Sequence, residues 1–562
     1  MLRALDVTSL VTALALSSSL AAQPLMVAHV NDPLSHGTLG DNLLSLDEAI
    51  RAMNATLPLT SLSTAERARV TGTGAAIDTV EIDFAVTPTI TMERQLTNIF
   101  GDPVVHADVW FFSLNGNVVI QADDSIQEVW PIRTNHGQLN DFIVRGGQTG
   151  VTMDSSLHYH PGRRFLLNRC VFEDQKQRCV EYRIPQFPPG EIEPGDFQDT
   201  VFRNSPIGIN VVDRGIAGDL ELFCRDLTID NCATGIKIDV LGSSSTLDVR
   251  FSRTEITGAT DGVVVRRNSF VDSSLQLSFD LGEIHASRHG FDIQTENIGF
   301  GPNVISVHHT IVRAGGGAAD YAFRTTPATG WFDIAMGEND FDGNVEIHSG
   351  SFSGQQRIHN SLFTNGSFTL GNRMPATPSD LQWNAHESSP ITIDAGTTGA
   401  VQLNACELFS SPADNPSAAA VTLTNCFRSS SALSGSIANT APTPAPWLGH
   451  ATVSPRRPAL GSQLMLGVDL QPNTAVAWML GAPLATPLTA ITPWRFYMDF
   501  ALSIPLPGFV VTGQQTLPLS IPTNPIWVGA ELYCQPVLFP TAGQPYVPVF
   551  SLPAGGLFEI VP

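Results

Sequence analysis

Lysine is nearly missing from this 562-residue chain, which holds only Lys176 and Lys237. Thirty basic residues face 53 acidic ones, a formal charge of −23 at pH 7. Such a surface repels phosphate backbones and anionic lipid, which argues against nucleic acid as a partner. It also weighs against polyuronates, whose carboxylates need cationic subsites or bridging calcium. No C-x-x-C occurs among the seven cysteines, so a structural zinc site lacks its usual framework. The middle of the chain has no i, i+3, i+4 stripe of a crossover helix, and after the first 22 residues no apolar run is long enough to cross a bilayer.

What is present is a hexad: an apolar residue, two variable ones, a small or polar residue, one variable, and an apolar residue. Copies start at Leu139, Leu167, Phe197, Cys224, Phe251, Phe279, Val307, Met336, Ile358, Leu381, Leu403 and Leu423. The intervals are 27–30 residues up to Met336 and 20–23 after it. Fixed-period similarity marks a solenoid, in which each unit buries its apolar side only against neighbours. Leu220/Leu222 and Ile236/Ile238 alternate as strands do. Gly208, Gly235, Gly262 and Gly290 recur at one place between strands, where the pattern predicts turns of positive φ. About three short strands per unit then coil into a parallel β-helix over 139–435. Leu222, Val249 and Leu277 should lie one above another in it.

The ends read differently. Met1-Leu2-Arg3 and the apolar stretch to Leu20 are like a secretory signal peptide over 1–22, which places the chain outside the cell, released or on the cell surface. Ser45 and Glu48 form a capping box, and Leu46, Ala49 and Ile50 give a short apolar stripe. The short helix they predict caps the first coil within 23–138. Residues 436–451 are a Pro-rich linker. Residues 452–562 lack the repeat and read as a β-sandwich-like domain.

The repeat resembles the right-handed parallel β-helix proteins, a group with pectate lyases, polygalacturonases and phage tailspikes among its members. Leu43-Leu44-Ser45-Leu46-Asp47-Glu48-Ala49-Ile50 is similar to the Ser-Leu-Arg-Glu-Ala-Ile motif at the start of many secreted bacterial members, with Asp47 in place of Arg. The resemblance implies an all-β fold, a right-handed solenoid, over roughly residues 26–435. It does not carry an activity. The polygalacturonase series Asn-Thr-Asp, Asp-Asp, Gly-His-Gly, Arg-Ile-Lys is missing, and the pectate-lyase calcium acids and arginine have no counterparts.

Cys170, Cys406 and Cys426 fall on the fourth place of the hexad, with Thr200, Thr254, Thr310, Asn339, Ser361 and Asn384 elsewhere. A column of small residues at one corner accounts for them without a bond. Cys406/Cys426, Cys224/Cys232 and Cys170/Cys179 stay open as pairs, and Cys534 stands apart. His158-x-His160 has metal-like spacing but no third ligand. His308 and His309 point to opposite faces if they share a strand. Glu338-Asn-Asp-Phe-Asp-Gly343 offers oxygens before a turn, as calcium loops do, though a solvated turn is the plainer reading. No cofactor is implied, and the metal question stays open.

Counting from the repeat glycine gives two outward columns: Asn210, Lys237, Val264, Asp292 and Val212, Asp239, Arg266, Gln294. They form a ridge with two acids, Asp239 and Asp292, roughly 11–12 Å apart by strand geometry, at the long end for an inverting glycosidase. Two functions follow. One is a non-catalytic extracellular β-helix contacting polysaccharide or cell-surface glycan, with Asn210, Lys237 and Gln294 as contacts. The other is a polysaccharide hydrolase or lyase using Asp239, Arg266 and Asp292. No Trp or Tyr occurs over 197–300 to stack on sugar rings. Mixed charges on a strand face are also ordinary cross-strand pairs.

Overall fold

The structure, a computed structural model, describes residues 26–560 except 73–78, 100–108, 134–135, 155–163, 185–194, 214–217, 242–244, 269–273, 297–301, 327–331, 350–353, 375, 383, 425, 430, 441–448, 456, 492–493, 499–502, 507–508 and 541–555. The signal-like start, the His158/His160 pair and residues 441–448, half of the Pro-rich linker, lie outside the described residues, while Ile437–Thr440 at the linker's start is a further solenoid strand paired with Val421–Thr424.

Each hexad spans a corner between two strands, and a third strand completes the rung. In consecutive rungs these are Arg164–Asn168, Val171–Glu173 and Arg178–Ile184, then Gly195–Gln198, Val201–Arg203 and Ile207–Asp213. The twelve hexad starts pair in order, each with the next, in parallel register from Leu139↔Leu167 to Leu403↔Leu423. All twelve are buried. Leu222↔Val249 and Val249↔Leu277 stack as the repeat predicts. The chain is therefore a parallel β-solenoid. Its first sheet runs on beyond the hexads, with Ala28, Val80 and Phe111 in the same column before Leu139.

The third place of the hexad makes the corner. It is left-handed in every rung where it is described, from Asp141 (φ 65°) and Arg169 (φ 51°) to Ala405 (φ 53°). A side chain there costs about 1 kcal/mol. The conformation persists because the corner N–H stays in the ladder: Arg253 N donates to Asp280 O at 2.9 Å, and Ala405 N to Thr424 O at 2.9 Å. The fourth place lines the inside of the corner and ties rungs together. Asn339 Nδ2 donates to Val307 O and Asn384 Nδ2 to Ile358 O, each at 2.8 Å, while Asn384 Oδ1 accepts Ser361 N at 2.9 Å. Cys170 and Cys406 play the same part through Sγ, 3.4 Å from Leu139 O and Leu381 O. All seven cysteines are buried free thiols.

The repeat glycines correct the sequence reading. Gly208, Gly235, Gly262 and Gly290 are not positive-φ residues. They stack near the start of the strands Ile207–Asp213 and Thr234–Val240 and midway in the long strands Glu255–Asn268 and Glu283–Glu296, because a Cβ has no room: on Gly235 it would lie 2.7 Å from Gly262 O and 2.8 Å from Ile256 Cγ2. Close approach, not a turn, selects glycine here.

The sixth place faces the core with an aromatic stack. Phe341 and Phe363 lie 5.5 Å apart at 8°, and Phe363 and His386 4.8 Å apart at 18°. After His386 the column continues through Leu408 and ends at Arg428, which is exposed. At the other end, helix Leu46–Met53 carries the Ser45/Glu48 capping box and buries Leu46, Ala49, Ile50 and Met53 in the core of the first rungs. Among the described residues no helix is long and apolar enough to cross a membrane.

The C-terminal part is an antiparallel sheet in which Gln463–Gly481 pairs with Gly449–Ser454, Phe509–Ser520 and Glu531–Pro540. It packs its own core around Trp478, Leu464 and Phe558. Pro525–Trp527 is a short 3-10 turn with Ile526 80% exposed. The sheet touches the solenoid at the left-handed corners. Arg457 bonds to Asp226 and donates to Arg253 O at 3.1 Å, Glu559 pairs with Arg253, and Tyr533 Oη donates to Glu338 Oε2 at 3.1 Å.

Candidate functional site

Strand alternation puts the ridge on the outer face of the third sheet. The register places Asn210 across from Lys237, Lys237 from Val264 and Val264 from Asp292, with Val212, Asp239, Arg266 and Gln294 beside them. The two columns read from the sequence therefore lie side by side. They continue in both directions, since Glu181 lies across from Asn210, Arg324 from Asp292, and Glu346 from Arg324.

The bonds along the ridge do not follow the simplest cross-strand pairing. Lys237 Nζ turns along its own strand to Asp239 Oδ2 at 2.6 Å. Arg266 lies across from Asp239 but reaches the next rung, with NH1 3.1 Å from Asp292 Oδ2. Gln294 Nε2 donates to the same oxygen at 2.9 Å, and Arg324 donates twice to Oδ1. Asp292, on the outer face of its strand, is only 3% exposed beneath these three side chains. Asn210 turns away from Lys237 and donates to Glu181 Oε1 at 3.4 Å, a carboxylate also held by Arg178 and Arg183. The proposed acids Asp239 and Asp292 are thus each engaged by a cation, and the proposed contacts Asn210 and Gln294 are engaged by carboxylates.

The sequence did not point to Arg324, Tyr321, Glu346 or His348. Glu346 Oε1 accepts His348 Nε2 at 2.8 Å, a bond that holds its carboxyl below the usual carboxylate range. Burial raises the Tyr321 hydroxyl, with Glu346 adding to the shift. The Arg324 guanidinium lies 5.0 Å over the Tyr321 ring, so this aromatic face is covered by a cation and is not an open sugar platform. Burial lowers His289, with Arg324 acting in the same direction, and its Nδ1 accepts Tyr321 N at 3.3 Å.

The other sequence candidates resolve into structure. Glu338 is a corner that bonds Tyr533 and lies 3.2 Å from His309 Nε2, while Asp340 pairs with Arg313 and Asp342 Oδ1 accepts from Asn365 at 2.9 Å. The Glu338 and Asp340 oxygens are therefore committed inside the fold, while Asp342, 35% exposed, stays at the surface beside Asn365. His308 ends its strand and His309 is the left-handed corner, so the two rings are neighbours, 6.3 Å apart, and not on opposite faces of one strand. Among the described residues no cluster of three or more His, Cys, Asp or Glu side chains is placed to hold a metal ion.

No family model matches the chain, and no curated protein matches it.

Proposed function

We propose that this chain is a non-catalytic β-helix that works outside the cell and binds a neutral polysaccharide or cell-surface glycan along the third sheet. The observation that carries this reading is the state of Asp292, which is 3% exposed and satisfied by Arg266, Gln294 and Arg324. A general acid or base must reach the glycosidic oxygen or a water, and a carboxylate enclosed by three donors does neither. The partly exposed Lys237 and Arg266, 34% and 37% exposed, are oriented by their carboxylate partners. Lys237 and the 17% exposed Asp239 offer a donor and an acceptor side by side, as sugar hydroxyls require, and Arg266 adds a further donor. The charge of −23 favours a neutral glycan over an acidic one. The signal-like N-terminus supports an extracellular setting.

The test is a panel of neutral and acidic glycans, with binding and product release measured on the same samples. Binding to a neutral glycan without products, weakened about tenfold or more in the double variant Lys237→Ala, Arg266→Ala, is the expected result, about 1.4 kcal/mol of binding free energy. Turnover that disappears in Asp239→Asn would replace this reading with the hydrolase or lyase.

A further inference from the structure

The fourth-place column carries a second kind of chemistry near the end of the solenoid. Cys406 and Cys426 occupy the same place in successive rungs: Leu403↔Leu423 pair on one side of them and Glu407↔Phe427 on the other. Both thiols point the same way. Cys406 Sγ lies 3.4 Å from Leu381 O, and Cys426 Sγ 3.3 Å from Leu403 O, the equivalent carbonyl one rung on. Burial pushes the Cys406 thiol up, and the neighbouring Cys426 pushes it further. Adjacent strands put their Cα atoms about 4.8 Å apart, within the span that a disulfide bridges.

We propose that Cys406 and Cys426 are a modification site, a pair that closes into a disulfide when the chain meets a small-molecule disulfide oxidant. The thiolate of one cysteine attacks the oxidant, forming a mixed disulfide and releasing one small thiol. The second cysteine's thiolate displaces the other half. Both protons end on the released thiols, and the cysteine pair loses two electrons to the oxidant. The bond replaces two Sγ–carbonyl contacts with a covalent link between the last hexad rung and the one before it. The inference is independent of any glycan.

The fold supplies its own contrast. Cys232 likewise adds to the upward push of burial on Cys179, but Cys179 Sγ donates to Ser205 Oγ of the intervening rung at 3.2 Å. Two rungs separate their backbones by about 10 Å, beyond what a disulfide spans. This pair stays reduced.

The full-length chain is equilibrated with glutathione disulfide, both as the native protein and during refolding from the reduced, unfolded state, so that burial cannot block the oxidant. It is then denatured, its thiols are counted, and its peptides are mapped by mass spectrometry. The expected result is five free thiols, the seven less two, and one linked peptide pair containing Cys406 and Cys426. Cys426→Ser should give six thiols and no linked pair. Seven free thiols in the protein refolded with glutathione disulfide, or a link that uses Cys179 or Cys232 instead, would overturn the proposal.

Discussion

Arg324 lies across from Asp292 one rung along and closes on its Oδ1 with two N–H bonds, 2.9 Å from Nε and 2.8 Å from NH2. Arg266 holds the other oxygen at 3.1 Å. Asp292→Asn takes the negative charge away from both guanidiniums. Breaking a fully buried pair costs about 3–5 kcal/mol, but these cations keep 24% and 37% of their side-chain exposure, so the expected loss is about 1–3 kcal/mol. Urea unfolding reads it as a lower midpoint at unchanged slope. An unchanged midpoint would mean that the ridge is not held together by this carboxylate.

Gly235→Ala should destabilise by about 1–3 kcal/mol, because its Cβ meets a backbone oxygen that cannot move without shifting the next rung. Gly316→Ala is the control, since nothing lies within 4 Å of its would-be Cβ. If the two variants melt together, the glycine column is not set by close approach.

His386 is fully buried against Phe363 and Phe368, and neither ring nitrogen has a hydrogen-bond partner. Burial lowers its folded pKa from 6.5 to about 3. Below pH 6.5 the unfolded chain binds a proton that the folded chain refuses. Its contribution is therefore full above pH 6.5 and is lost progressively as pH falls toward about 3. His386→Phe removes that loss and continues the aromatic stack. Urea midpoints at pH 7 and pH 5 check this: the variant's advantage should widen at the lower pH, and parallel behaviour would count against it.

His309 behaves in the opposite sense. Burial disfavours its charge, but Glu338 and Asp280 outweigh burial and raise it to about 9. The folded form holds the proton more tightly than the unfolded one. The stabilisation is therefore complete below pH 6.5 and disappears as pH rises through about 9. Because Glu338 also accepts the Tyr533 hydroxyl, the effect sits where the C-terminal sheet meets the solenoid. Imidazole titration by NMR should give a raised value in the wild type and a lower one in Glu338→Gln. An ordinary value in both would remove the coupling.

The solenoid was legible because its signal is periodic and apolar, and the twelve hexad starts fall into one register. The capping helix was legible from the Ser45 and Glu48 capping box and the stripe of Leu46, Ala49 and Ile50. The left-handed corner was not, since Asp141, Arg169, Leu281, His309 and Glu338 share a conformation with no residue type in common. The ladder N–H selects that corner, and every residue but proline has one. The ridge was followed to Asp292 and lost beyond it. Ala322 replaces the marker glycine there, and the register shifts between Tyr321↔Asn344 and Phe323↔Val345, hiding Arg324 and Glu346. The contacts of Arg457 and Tyr533 join residues 231 and 195 positions apart, a distance at which no local pattern signals a partner.

Because each corner passes its amide to the next rung whatever side chain it bears, every rung offers its neighbour the same backbone edge. Duplication of a whole repeat would then lengthen the rod by about 4.8 Å while leaving the strands on either side with equivalent partners. Length is a quantity that this architecture can change in unit steps, without redesigning a core.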